Sequence, residues 1–459
     1  MYDDMARLAA LSPLDGRYRH DVSGLVSYFS EAALFRYRVR VEVEYLIFLA
    51  RSPRVDFVPA FDVSQQASLR ALYRQFTDAD ALAISAWDRK VNHDVKAVEY
   101  WLRERFDALQ LGAWNEAIHF ALTSEDVNNL AYALLVRDAR DSIMLPALGQ
   151  IETRLRDLAV SEAATPMLAR THGQPATPTT FGKEMNVFLA RLRRAVAAIS
   201  SAPLTGKLNG ATGTFAAHVA ALPGVDWPKF STAFVRSLEL EPVLLTTQIE
   251  PHDTLAALCD AIKRTNTILI DLSQDCWRYI SDGYLVQAPK PGEVGSSTMP
   301  HKVNPIDFEN GEGNLGLAGA LLEHISRKLP VSRLQRDLSD STVLRSLGTA
   351  FGYSLMGYQR ILKGLGKVGV RRDVLLADLT AHPEVLAEAV QTILRRIGYP
   401  EPYEALKQLS RGRAMTMEDL HRFVAEIQVE DSVKAELLAL TPEGYTGLAA
   451  QLATVLEGR

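Results

Sequence analysis

The sequence predicts an all-α protein built as a bundle of long helices, and three observations carry that prediction. Ala, Leu, Arg and Glu dominate the 459 residues, alternating β-branched runs are scarce, and long stretches lack both Gly and Pro. The clearest stretch runs from Thr254 to Asp282, with Leu255, Cys259, Ile262, Leu269, Leu272, Cys276 and Tyr279 at steps of three and four or their multiples. A helix of that length is about 43 Å long. Such a rod suits a bundle continued across subunits better than a compact monomer.

Other helical stretches fit beside it. Asp126 to Leu145 is expected to end at Pro146. Thr180 to Ala202 stops before Pro203, with Phe181, Met185, Leu189, Leu192, Val196 and Ile199 on one stripe. Residues 309–329 form a helix dotted with Gly311, Gly313, Gly316 and Gly319, which suggests close helix packing. Those glycines also match G-x-G-x-x-G, but no strand precedes them, so a dinucleotide fingerprint is discounted. Polar loops divide the chain into 1–112, 113–365 and 366–459, read as three helical domains.

Composition narrows the function classes. With 50 basic and 55 acidic side chains the formal charge is −5, which favours neither nucleic acid nor an anionic membrane as partner. No apolar run approaches the roughly 20 residues that span a bilayer. The N-terminus lacks a basic region followed by an apolar one, so no signal peptide is expected. Cys259 and Cys276 lie 17 positions apart in one predicted helix, about 25 Å along its axis, and cannot pair there. A reduced, cytoplasmic protein is the expectation.

The chemistry concentrates in a Gly- and Pro-rich break. Gly295-Ser296-Ser297-Thr298-Met299-Pro300-His301-Lys302-Val303-Asn304-Pro305 precedes a helix start in which Asn304 reads as N-cap and Pro305 as N1. Lys302 and Asn304 would sit at a positive helix terminus, where an anion is stabilised. An ordinary capped interhelical loop would read the same way. Thr171-His172-Gly173-Gln174-Pro175-Ala176-Thr177-Pro178 is kept extended by its prolines. Asp94 caps a helix running to about Phe106. Thr123 and Asp126 fit a capping box, whose N–H groups would equally receive a carboxylate. Arg333, Arg336, Ser341, Thr342 and Arg345 form either a solvated basic turn or a phosphate site.

These segments together resemble the fumarase/aspartase superfamily, whose signature G-S-S-x-M-P-x-K-x-N-P is complete at 295–305. His301 before Lys302 is similar to the adenylosuccinate lyases, in their longer bacterial type, and the likeness runs from about residue 12 to the C-terminus. The resemblance implies an all-helical homotetramer whose active sites are shared between subunits, with no metal or organic cofactor. It implies β-elimination of fumarate from two nucleotide substrates, adenylosuccinate (giving AMP) and SAICAR (giving AICAR).

Residue by residue, the resemblance makes Ser296 the base and His172 the general acid. It puts Asn92, His93 and Asp94 at the substrate, although Asn92 stands where many relatives carry Arg. Thr123 and Ser124 would take a carboxylate, with His119 nearby. Arg17, Tyr18, Gln248, Lys302, Asn304, Asn310, Arg336, Ser341, Thr342 and Arg345 complete the binding set. His252 and Asp253 are left as structural polar residues. A sister lyase acting on argininosuccinate, malate or aspartate is the nearest alternative, and the arginine turn argues against it. A catalytically silent relative and a metal hydrolase are further alternatives. Intact Ser296, Lys302 and His172 oppose the first, and missing ligand spacing opposes the second.

Overall fold

The structure is a computed structural model that describes residues 4–288, 299, 302–410 and 415–455. Ser296 and His301 lie outside the described residues. Most described residues are helical, and the strands form three two-stranded sheets. The chain divides into two compact units.

The first unit comprises Met1–Leu148, Ala195–Thr267 and Gly313–Gln359. Its pivotal helix is Glu31–Leu49, started by Ser30, whose hydroxyl accepts from the Ala33 amide at 3.1 Å. Phe35, Val39, Val43, Leu46 and Ile47 recur at helical spacing and join a core with Trp101, Leu102 and Phe106. Each such buried side chain contributes roughly 1.5–3 kcal/mol. A second stripe on the same helix, Arg38, Glu42 and Tyr45, is also buried. The first two bring charge inside, and both meet residues singled out from the sequence.

The second unit comprises Gly149–Arg194, Ile268–Glu312 and Arg360–Arg459. Here the segment around His172 forms an antiparallel hairpin, Pro166–Thr171 with Gln174–Thr180. Leu168 of the first strand packs against Leu379 and Val385. A separate core gathers Leu386, Val390, Leu394, Leu420, Val424 and Leu437.

The long helix spans Asp253–Ser281, and Leu255, Cys259, Ile262, Leu269, Leu272 and Cys276 of its predicted seam are buried. The next stretches fall at Phe181–Ser201 and Ile306–Lys328. Pro146 does not end its helix. A π turn over Arg140–Met144 follows Ser124–Ala139, and the chain continues as Leu145–Ser161. The wider turn absorbs the N–H that Pro146 lacks toward the carbonyl of Ser142. Within the chain, Gly313, Gly316 and Gly319 show no close helix packing among the described residues. A Cβ added at Gly313, Gly316 or Gly319 would meet nothing within 4 Å among the described residues.

Candidate active site

In the first unit the helix Asp78–Val91 ends on Asn92, whose φ of 52° is left-handed and whose amide donates to the Asp88 carbonyl at 2.7 Å. Asn tolerates that conformation well, so the residue type has a backbone reason. The next helix, Asp94–Ala108, is capped by His93 rather than by Asp94. Nδ1 of His93 accepts from the Lys96 amide at 3.1 Å. A neutral imidazole accepting there carries its proton on Nε2, which lies 3.5 Å from Ser124 Oγ.

Relieved of capping, Asp94 anchors an ion cluster. Its Oδ2 accepts from Arg38 Nη2 at 2.7 Å and from Arg345 Nη2 at 3.2 Å, and Oδ1 accepts from the Val95 amide at 2.9 Å. Burial alone would raise this carboxyl. The Arg38 guanidinium, the Val95 amide and Arg345 outweigh it and hold Asp94 below the usual carboxylate range. Arg38 is itself fixed by Asn128 Oδ1 at 2.8 Å. Arg345 Nη1 donates to Ser341 Oγ at 2.7 Å, so Ser341, Arg345 and Asp94 form one constellation. Thr342 is exposed on the same turn.

A second constellation joins Gln248 to Arg336. The Gln248 side chain donates to the Ala211 carbonyl at 3.0 Å and accepts from Arg336 Nη1 at 3.2 Å. Close by in sequence, Gly213 has a φ of 76°, and an added Cβ would lie 2.1 Å from the Thr246 carbonyl, so the backbone there needs a glycine. Arg336 Nη2 is 3.3 Å from Glu125 Oε2. Glu125 belongs to the helix Ser124–Ala139, where Asp126 Oδ2 accepts from the Thr123 amide at 2.9 Å, as the capping pattern predicts.

A cleft of about 390 Å³ opens between His93, Lys96, Glu99, His119 and Ser124. Lys96 is engaged by both oxygens of Glu99, at 2.7 and 2.8 Å. His119 has a φ of 59°, and its Nδ1 is 2.5 Å from Glu42 Oε1. Burial opposes the charged imidazole, but the Glu42 carboxylate prevails and holds His119 above the usual histidine range. A smaller cavity of about 160 Å³ is bordered by Ser12, Asp15 and Arg19 together with Arg345. The N-terminal segment carrying Arg17 and Tyr18 therefore runs beside the arginine turn. Tyr18 packs against Leu14, Val22 and Met356, while Arg17 is exposed.

In the second unit His172 and Gly173 form the two-residue turn of the hairpin, with φ of 54° and 77°. Both central residues left-handed is the type I′ geometry that matches strand twist. The turn presents His172 exposed at its tip. Lys302 is also exposed, and its amide donates to the Met299 carbonyl at 3.0 Å. Asn304 is half-buried just before Ile306, where the helix holding Asn310 begins. Asp307, in its first turn, is held by Lys367 at 2.9 Å and Lys363 at 3.4 Å.

A lyase family matches residues 16–318, and an adenylosuccinate lyase C-terminal family matches residues 332–446. The chain is 49% identical over 455 residues to adenylosuccinate lyase of Escherichia coli strain K12, covering 99% of this chain and 100% of that one. The chain belongs to the adenylosuccinate lyase family. A Dictyostelium discoideum adenylosuccinate lyase is 48% identical, covering 96% of this chain and 97% of its own. Among solved structures, 3-carboxy-cis,cis-muconate lactonizing enzyme from Pseudomonas putida superposes with a TM-score of 0.74 at 20% identity, covering 94% and 95% of the two chains. Fumarate lyase from Mesorhizobium sp. BNC1 does so with 0.74 at 18%, covering 95% and 98%. These two share the fold. As a member of the adenylosuccinate lyase family the protein is a carbon–nitrogen lyase.

Several residues of this lyase's candidate site escaped sequence reasoning. Arg38 and Glu42 are two of six charges on the helix Glu31–Leu49, and only their burial marks them. Lys207 and Asp126 form a fully buried pair at 3.0 Å. Their positions, 207 and 126, lie far apart in the chain and carry no shared motif. Glu125, His252 and Asp340 converge in the interior, with donor atoms within 4.8 Å of one another. Glu125 sits inside a recognised motif, but helix capping hid any further role.

Proposed function

We propose that the protein eliminates fumarate from adenylosuccinate, giving AMP, and from SAICAR, giving AICAR. One geometric observation carries the substrate class. Arg336 and Arg345 are both held by side chains fixed in the fold, Gln248 and Glu125 for one, Ser341 and Asp94 for the other. Prepositioned guanidiniums suit a nucleotide monophosphate. Malate, aspartate and argininosuccinate carry carboxylates but no phosphate, so the phosphate contact would go unused.

In this reading Ser296 removes the proton beside the carboxylate, and charge builds on a group that is already anionic. Lys302, Asn304 and the helix start at 306 stabilise that dianion. His172 delivers a proton to the departing purine amine. Thr123 and Ser124 take a carboxylate at the N-terminus of their helix. His93 and Asp94 orient the substrate, with Asn92 beside them. Arg17, Tyr18, Gln248, Asn310, Ser341 and Thr342 complete the nucleotide contacts.

We further place this chemistry in a cytoplasmic homotetramer whose active sites gather motifs from several subunits, each built as three helical domains over 1–112, 113–365 and 366–459. Exposed Trp277 and Leu317 on long helices, and open space among the described residues beside an added Cβ at Gly313, Gly316 and Gly319, support an intersubunit bundle. Among the described residues no helix is long and apolar enough to cross a membrane.

The test is direct. Purified protein should change the ultraviolet absorbance of adenylosuccinate without added metal, and equally in EDTA. Fumarate released from argininosuccinate, with no change in adenylosuccinate, would overturn the choice. Full turnover by Ser296→Ala would overturn the base while leaving the family intact.

A further inference from the structure

Behind Arg336 lies a group of side chains that the lyase reaction does not use directly. Glu125, Asp340 and His252 are 1%, 2% and 3% exposed. Glu125 Oε1, Asp340 Oδ2 and His252 Nε2 have no hydrogen-bond partner, and one side-chain oxygen or nitrogen of each residue lies within 4.8 Å of the other two. His252 Nδ1 lies 3.5 Å from Glu250 Oε2, which also accepts from the His252 amide at 2.8 Å. Between the two carboxylates stands one cation, since Arg336 Nη2 lies 3.3 Å from Glu125 Oε2 and 3.9 Å from Asp340 Oδ2. Two buried carboxylates on one guanidinium leave an excess negative charge, which is favourable there only when a proton is shared as well.

We propose that Glu125 is held as a neutral acid in this cluster, and that it is thereby a positioning residue that leaves the charge of Arg336 available to the nucleotide phosphate. This rests on the reading of Arg336 as a phosphate contact. Asp340 has a further partner, since its Oδ1 accepts from the Ser341 amide at 2.7 Å. His252 is a weaker candidate for the proton, because burial disfavours its charged form more than Glu250 and Asp340 favour it. For Glu125, burial raises the carboxyl to about 8. Arg336 and Lys207 pull it down, while Asp340 and Asp126 push it up. Around His252 stand Glu250, Asp340, Arg336 and Asp253.

The consequence follows from the second oxygen. Glu125 Oε2 lies 3.3 Å from Arg336 Nη2. While Glu125 is neutral, Oε2 places the guanidinium without neutralising it, and Arg336 keeps its charge for the phosphate. Once Glu125 ionises, it becomes an ion pair that competes with the phosphate for the same guanidinium. Raising the pH through the Glu125 transition should therefore weaken nucleotide binding without touching the elimination step.

The experiment is a pH series of KM and kcat for adenylosuccinate with wild type, Glu125→Gln and Arg336→Gln. Wild-type KM should climb at least fivefold between pH 7 and 9.5. Glu125→Gln, fixed in the neutral form, should show a KM flat within twofold, with kcat following the wild-type pH dependence. Identical KM profiles for wild type and Glu125→Gln, with Arg336→Gln raising KM at every pH, would overturn this inference alone. An unchanged KM in Arg336→Gln would instead overturn the phosphate reading beneath it. A divalent metal found at one per subunit in protein prepared without chelator would also overturn the proposal, because the metal would be what the acceptors share. Should Glu125→Gln fail to fold, Asp340→Asn decides. Removing the facing charge should move the wild-type KM break to lower pH, and an unmoved break counts against the shared proton.

Discussion

The two units hold their candidate residues in opposite ways. In the first, Asp94, Gln248, Arg336, Ser341 and Arg345 are tied to one another or to buried partners such as Arg38 and Glu125. In the second, His172 stands exposed on a hairpin tip and Lys302 is exposed ahead of a helix. One set is rigid before any substrate arrives. The other is offered outward on a stiff support. Binding energy is best spent where groups are already oriented, since ordering them costs nothing further. Proton transfer needs groups that reach the reacting atoms.

That contrast can be broken by mutation. His172→Asn should lower kcat by about 10²–10⁴-fold, the usual scale for a lost general acid, because Asn keeps the left-handed turn. Its thermal midpoint should match wild type, and a large drop in midpoint would make the histidine structural. Arg38→Met attacks the rigid side, leaving Asp94 with its main buried partner gone. A loss of about 3–5 kcal/mol in urea unfolding is expected, and a loss below 1 kcal/mol would show the cluster to be dispensable.

Arg345→Gln should separate function from stability on the same side. Its side chain is 43% exposed, so unfolding should change by less than about 1 kcal/mol. KM should rise by about 10- to 100-fold, equivalent to about 1.5–3 kcal/mol for a charged hydrogen bond. Gly173→Ala places a Cβ at a φ of 77° and should cost about 1 kcal/mol. The smallest effect is a pH dependence. The Asp94 carboxyl is depressed in the folded state, so its contribution is present above the unfolded value of about 4 and disappears as pH falls through the folded one. Wild type should therefore exceed Asp94→Asn in stability at pH 7, and the gap should close in acid.

Much of this was legible in the residues themselves. The seam from Leu255 to Cys276 needed only helical periodicity, because one face of a long helix must be buried. The Gly295–Pro305 run named the chemistry through a dense, contiguous pattern. The hairpin around His172 read only as an extended segment. Its type I′ turn depends on His172 taking a left-handed conformation that Asn, Asp or Gly would more readily announce. His93 as cap was missed because Asp94 is the better capping residue in isolation. What tipped the choice was Arg38, more than fifty positions away, which claims the Asp94 carboxylate. Glu125, His252 and Asp340 were equally invisible, since pairwise distance across the interior leaves no trace in local spacing.

The long helix Asp253–Ser281 has a practical consequence through its sulfur atoms. Cys259 and Cys276 are both free thiols, 0% and 1% exposed. Burial pushes the Cys259 thiol up to about 12, and that of Cys276 higher still. Only the thiolate reacts appreciably with alkylating dyes, so the folded chain should be silent toward them. A single cysteine introduced at exposed Thr342 would then be the one position to accept a fluorophore. The arrival of nucleotide beside the arginine turn could be followed in real time, with no native cysteine first removed.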